Sequence, residues 1–412
     1  MDTKTSIPAL QKADELPPDQ PALPSEAPVG IWNKLFINIV IVNIVMNFGQ
    51  FMMSTLIPKF ADHLGASPAV VGVVASIFTV TALAIKPVSG PVIDTLQKKW
   101  VLFGAILIIA ASFIIYSMAY SLTTLVVARL IHGMGMGFTA STCLSLASEA
   151  LPQDKLAQGI GYFSLGQAVI SAIGPSLGLT LTSRFGYNQT FAICAYIMAS
   201  SAVLVIFIKA PKNVARKKFK ITWNGMFAME AIIPATLQLF FAMSYMTISS
   251  FLVLYAQNDR GVENIGYWFT ANAISMLISR PIVGRLGDKY GIHRIMPPAF
   301  VIFALSLYVI SISDNIIMFL ISAVISSWGY GVIMPANQAL CMKCVSPDRR
   351  GVGGNTNYVG MDIGAFVGPA ISGVLIMRFG YSAMYQLMIL PIAGAGVVFY
   401  LCYPKIKEIC TK

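Results

Sequence analysis

The nine residues Lys86-Pro87-Val88-Ser89-Gly90-Pro91-Val92-Ile93-Asp94 have a counterpart 194 positions later, Arg280-Pro281-Ile282-Val283-Gly284-Arg285-Leu286-Gly287-Asp288. A cation, a proline, a glycine and an aspartate keep one spacing in both. The same shift carries Gly72 onto Gly266, Gly135 and Gly137 onto Gly329 and Gly331, and Asp154 onto Asp348. It also carries Gly166 onto Gly360, Gly174-Pro175 onto Gly368-Pro369, and Arg184-Phe185-Gly186-Tyr187 onto Arg378-Phe379-Gly380-Tyr381. One constant offset over about 115 residues marks an internal duplication. Between the copies lies the basic interval 211–223, PKNVARKKFKITW.

The unit that was duplicated is apolar. Of the 412 residues, 56% are hydrophobic and 11% charged, and the mean hydropathy is +0.73. Soluble domains carry about 25% charged residues, so this chain cannot clothe a water-facing surface. Long unbroken apolar runs such as 101–115, VLFGAILIIAASFII, lack the alternation of a barrel strand. A helix of about 20 apolar residues crosses a bilayer with its backbone satisfied. The pattern predicts twelve such spans, near 35–58, 68–93, 100–119, 122–150, 158–183, 188–209, 231–256, 264–286, 294–313, 315–343, 352–377 and 383–404. The predicted fold is therefore an all-α polytopic membrane protein of two pseudo-symmetric six-helix bundles, 34–209 and 231–404. A basic linker, 210–230, joins them. The N-terminal tail 1–33, Pro-rich and without an apolar leader segment, reads as disordered, and a short tail, 405–412, closes the chain.

The net charge of +11 is distributed by topology. With the N-terminus inside, one face receives Lys98, Lys99, Lys155, the linker cations, Arg285, Lys289, Arg294, Lys343, Arg349, Arg350, Lys405 and Lys407, and the other only Lys59, Arg184, Arg260 and Arg378. Lys and Arg accumulate in cytoplasmic loops, so both termini are expected in the cytoplasm and no nucleic-acid partner is expected. The scarcity of loops and of targeting signals suggests a bacterial inner membrane. The six cysteines are scattered; Cys341 and Cys344 have neither a second pair nor a nearby His, and no metal or cofactor is expected.

Polar residues inside a span carry the functional expectations. Arg129, on span 4, lies too deep for easy escape to water, and His132 follows on the same face. Asp362 is the one carboxylate in the middle of a span, which suits reversible protonation, either paired with Arg129 or beside water, or else a neutral acid bonded in the core. After spans 2 and 8 the short loops hold Asp94, Lys98 and Lys99, and Asp288, Arg285 and Arg294. A carboxylate there can cap a neighbouring helix while pairing with a loop cation, a contact able to latch two halves and break as they rock.

These loops resemble the signature G-x-L-x-D-x-x-G-[RK]-[RK] of the major facilitator superfamily. The second copy fits it well; the first lacks the internal glycine. Arg129-Leu130-Ile131-His132-Gly133-Met134-Gly135 is similar to the family's R-x-x-x-G-x-G motif. Gly166, Gly174-Pro175 and Gly178 on span 5 form a weakened version of its antiporter motif, with Ile170 and Leu179 in place of two glycines, and Gly360, Gly364, Gly368 and Pro369 on span 11 form a cleaner stripe. The resemblance implies a cytoplasmic gate joined by Glu149, a coupling role for Arg129, and a substrate surrounded by spans 1, 4, 7 and 10. The pocket candidates on three of those spans are Asn43, Asn47, Gln50, Gln238, Tyr245, Trp328, Tyr330, Asn337 and Gln338. Aromatic and amide groups with few fixed charges suit an amphipathic or lipophilic solute.

Within the superfamily the likeness is closest to twelve-span bacterial drug:proton antiporters. It implies exchange of a cytoplasmic small molecule for external protons by alternating access, in a monomer embedded in the lipid bilayer. The alternative is a proton-coupled importer of a small metabolite or sugar. An enzyme is disfavoured, since no phosphate loop or nucleophile elbow occurs and His63, His132 and His293 are far apart in sequence. A transport-dead receptor would be expected to bring an extra soluble domain.

Overall fold

The computed structural model describes residues 30–151, 156–208, 227–346 and 350–411. Four helices open the chain: α1 (Lys34–His63), α2 (Pro68–Thr95), α3 (Lys98–Ser117) and α4 (Leu122–Glu149). The first two starts have a local cause. The Asn33 side chain accepts a hydrogen bond from the Phe36 N–H at 2.9 Å and caps α1, and Pro68 opens α2, where its missing N–H costs nothing.

The next helical run, Leu156–Ile206, is broken at Gly186, whose φ of 76° and ψ of 172° end one helix and start another. Side chains rarely adopt that conformation, and glycine does so freely. The break divides the run into α5 (156–185) and α6 (187–206), and the chain doubles back there. Tyr162 stacks near Trp32 at the start of α1, Tyr187 and Phe191 pack on Phe60 at its end, and the Leu204 carbonyl is back beside Asn38.

The second half repeats this course. It comprises α7 (Ile232–Leu254, flanked by the 3-10 turn Met229–Ala231 and the π turn Tyr255–Asp259), α8 (Gly266–Tyr290), α9 (Ile292–Ile312) and α10 (Ile316–Cys344). The run Arg350–Leu387 is broken at Gly380, with φ 79° and ψ 172°, into α11 (350–379) and the first part of α12 (381–401). Gly186 and Gly380 are related by the 194-residue shift and share one backbone geometry. The glycine of the repeated Arg-Phe-Gly-Tyr motif is thus the turning point of both copies. A short helix, α13 (Tyr403–Thr411), ends the described chain.

Among the described residues nine runs are long and apolar enough to cross a membrane by length and composition. Two of them contain the glycine reversals, and the more polar α8 adds a further segment, which gives the twelve-segment course. Exposed apolar side chains form the expected outer belt; on α9, Val301, Leu305, Tyr308 and Ile312 lie along one face.

Within each half, small residues bring helices together. Gly360, Gly364 and Gly368 of α11 rest on the carbonyls of Ala235, Leu239 and Met243 of α7, one turn after another. In the first half Gly166, Gly174 and Gly178 of α5 face Ile44, Phe51 and Leu56 of α1. The glycine stripes read from the sequence are therefore seams inside each half.

The halves meet through α2 with α11, α5 with α8, and α1 with α7. Among the described residues, the three glycine contacts between halves lie on the face remote from the termini. Gly72 abuts the Pro369 carbonyl, Gly373 abuts Pro68, and Gly266 abuts Ser176. On that face the Asn258 amide also donates to the Asp62 carboxylate at 3.1 Å. The molecule is closed on the remote face.

Candidate transport site

Lys86 and Asp362 form an ion pair between α2 of the first half and α11 of the second. Lys86 lies nine residues from the end of α2, about 14 Å along the axis, and Asp362 twelve residues into α11, about 18 Å from its start. The side chains are only 17% and 11% exposed, so the charges are mostly withdrawn from water. The Lys86 ammonium also sits 5.6 Å from the centre of the Tyr358 ring, one turn before Asp362. A buried pair of this kind gains little net stability, because desolvation offsets attraction, yet removing one partner alone is costly.

Asp362 therefore meets Lys86 and not Arg129, and depth is the reason. Arg129 is seven residues into α4 from the remote face, while Asp362 belongs to the terminal half of α11. Arg129 is 1% exposed. Its Nε donates to the Val74 carbonyl at 3.0 Å, a terminal nitrogen donates to the Ala75 carbonyl, and its plane covers the Phe78 ring at 4.0 Å. The guanidinium fastens α4 to α2 within one half. His132 is fully buried, with Nδ1 3.2 Å from the Tyr116 hydroxyl and its ring among Phe78 and Phe113. We expect Arg129→Ala to lower the melting temperature of the purified protein by several degrees, for a loss of about 2–4 kcal/mol. A thermal-shift assay checks this; an unchanged transition would rule out the fastening role.

At the terminal face Lys98 pairs with Glu149 and donates to the Ser145 hydroxyl at 2.7 Å, joining α3 to α4. Lys99 bonds the Ile206 carbonyl at the end of α6. Arg285 and Arg294 are exposed. The side chains of Asp94 and Asp288 lie outside the described residues. The basic linker expected over 210–230 lies mostly outside them too, as does the tail 1–33 up to residue 29.

The polar candidates fall into two groups. On α1 the Asn47 amide donates to the Asn43 carbonyl and side chain at 2.8 and 2.9 Å, and Gln50 keeps a buried oxygen without a hydrogen bond. On the other side Asn337 of α10 reaches the Pro234 carbonyl at 2.9 Å, Gln238 at 3.1 Å and Asn357 at 3.2 Å, knitting α7, α10 and α11 together. Tyr245 and Tyr330 stack with ring centres 3.8 Å apart and planes 6° from parallel. Trp328 and Gln338 are half-buried. Two cations missing from the sequence-based site, Lys86 and Arg280, stand among these groups. Both were visible as charges inside predicted spans. Among the described residues no three His, Cys, Asp or Glu groups stand together as a metal site.

The sequence profile of the Major Facilitator Superfamily matches residues 39–264 and 235–408. The multi-drug resistance efflux pump PmrA of Streptococcus pneumoniae is 24% identical over 398 residues, covering 88% of this chain and 96% of its own. Two solved structures share the fold. A bacterial homologue of the human lysosomal transporter Spinster, inward-facing and unoccupied, has a TM-score of 0.78 at 12% identity, over 91% of this chain and 98% of its own. The nucleoside transporter NupG (D323A mutant) has a TM-score of 0.75 at 16% identity, over 90% of this chain and all of its own. Two matches that together span the described helices, on a duplicated six-helix plan, make this chain a member of the Major Facilitator Superfamily, an integral membrane transporter of a small molecule.

Proposed function

We propose that the protein is a monomeric exporter that exchanges a cytoplasmic amphipathic small molecule for external protons, with Asp362 as the proton-carrying group and Lys86 as its counter-ion. The observation that carries this reading is the Lys86–Asp362 pair, which bridges the two halves in the middle depth of the bundle. An antiporter must not relax while it holds neither proton nor substrate, or the gradient leaks. An ionised pair across the halves holds the empty carrier in its remote-closed form. A proton on Asp362 removes one charge and releases the halves; a substrate wedged between them separates the pair instead. Either cargo unlocks the carrier on its own, so one can be exchanged for the other.

The excess of Lys and Arg on the terminal face supports placing that face in the cytoplasm and the closed face outside. Export is supported by the relatedness to an efflux pump and by the aromatic and amide composition around Tyr245, Tyr330 and Trp328. The incomplete glycine pattern on α5, with Ile170 and Leu179, favours the second reading, proton-coupled import.

Accumulation of a panel of cationic, neutral and anionic amphipathic dyes in efflux-deficient bacteria separates the two. Lower accumulation in expressing cells, abolished by a protonophore, is expected. Higher accumulation that the protonophore abolishes would replace export by import, and lowering that survives the protonophore would remove proton coupling.

A further inference from the structure

Lys86 and Arg280 occupy matching positions in the two halves, related by the 194-residue shift. Their surroundings differ. Lys86 is neutralised by Asp362 across the interface. The position symmetric to Asp362 is Ala168, so the duplication supplies no second carboxylate. Among the described residues Arg280 has no acidic side chain within ion-pair distance, and its Nε is buried without a hydrogen-bond partner. A guanidinium is always charged and carries five donors in a fixed fork. Holding one inside a membrane-spanning bundle with no anion beside it is costly, and such residues mark the path of a ligand.

What surrounds Arg280 describes that ligand. The residue is half-buried, ten residues from the terminal end of α8. The neighbouring Ser279 hydroxyl donates to the Ser327 carbonyl of α10 at 3.4 Å, which sets Arg280 near the level of Tyr330. The rings of Tyr245 and Tyr330 form the parallel stack described above, and Tyr245 is only half-buried, so this level of the bundle holds both an aromatic face and a cation. With Lys86, its symmetric counterpart, already paired, the one guanidinium suits a single negative charge better than a phosphate dianion.

Resting on the reading that the solute lies between α1, α7 and α10, we propose that Arg280 is an anion-recognition residue of the substrate site. It receives the carboxylate of a monoanionic aromatic amphipath, whose ring lies against Tyr245. A planar carboxylate fits the fork with two parallel hydrogen bonds.

The test is equilibrium binding to the purified full-length protein in neutral detergent, with no gradient, using pyrenebutyrate and its uncharged analogue pyrenebutanol. Wild type is expected to bind the acid at least about tenfold more tightly than the alcohol, the worth of a charge-assisted pair. Arg280→Gln is expected to lose that preference by weakening the acid far more than the alcohol. Arg280→Lys, which keeps the charge and loses the fork, is expected to fall between, and it decides the matter should the glutamine variant fail to fold. No preference in wild type, or the same preference in the variants, overturns the proposal. Loss of the acid preference on adding phosphatidylglycerol, through Arg280, would assign the site to a lipid headgroup and also overturn it. Because no proton or transport step enters, preferential acid binding by a protein that fails to export leaves this inference standing while export falls.

Discussion

Asp362→Asn is expected to abolish energised transport while leaving a folded carrier. Asparagine keeps the shape of the carboxyl and its hydrogen-bonding groups but cannot ionise, so the variant behaves as a carrier whose proton never leaves. A pH difference of one unit sustains about a tenfold solute ratio per proton exchanged. In proteoliposomes with an imposed pH difference, wild type should approach a ratio of that order and Asp362→Asn a ratio of about one. Exchange of labelled for unlabelled solute, which needs no net proton movement, should persist in the variant and lose its pH dependence. A variant that still concentrates solute would remove Asp362 from coupling.

The counter-ion gives the control. In Asp362→Asn the long Lys86 stem can carry its ammonium toward the terminal face, so the fold should tolerate the change. Lys86→Met leaves the carboxylate as an uncompensated charge, at a cost of about 3–5 kcal/mol, and its yield should fall. Combining both changes should restore yield and not coupling. If Lys86→Met alone matched wild type in both respects, the pair described here would have no bearing on the cycle.

How the site came to be only partly legible follows from what periodicity encodes. Spacing along one helix singled out Asp362, since one carboxylate within a long apolar run needs nothing else for context. The duplication was equally legible, because glycines at Gly72, Gly186, Gly266 and Gly380 answer backbone demands that recur in each copy. Partnership is a different matter. Whether Asp362 meets Arg129 or Lys86 depends on the depth at which α4 and α2 cross α11, and sequence alone does not give relative helix depth. Lys86 was already in view as the mirror of Arg280 across the repeat; symmetry explained its presence and concealed its contact. In the sequence Tyr245 and Tyr330 read as separate pocket residues, and only the approach of α7 to α10 makes them one stacked surface. The glycine stripes were legible as packing, but which pairs of helices they join was not. Gly360, Gly364 and Gly368 face α7 of their own half, while Gly72 and Gly373 face the other half.

That last distinction makes Gly72→Ala the more revealing of two similar substitutions. A methyl at Gly72 would overlap the Pro369 carbonyl of the opposite half, and one at Gly360 would overlap the Ala235 carbonyl of its own half. Neither obstacle is a side chain that can swing away. Both variants gain intrinsic helix propensity of about 1 kcal/mol, so any loss must come from packing. The α7–α11 seam lies inside one bundle and persists however the halves rock, so Gly360→Ala should overpack it in every state and destabilise the protein by about 1–3 kcal/mol. The Gly72 contact joins the two halves on the closed face, so alternating access requires it to break. Gly72→Ala should leave the melting temperature near or above that of wild type, yet slow turnover at least about tenfold, because about 1.4 kcal/mol against closure is enough for that factor. Closure also brings Asn258 to Asp62. A cysteine at position 258 should then react several-fold faster with an impermeant maleimide in the Gly72→Ala background than in the parent. Equal labelling with normal turnover would mean that the seal at Gly72 is not a contact the cycle must make and break.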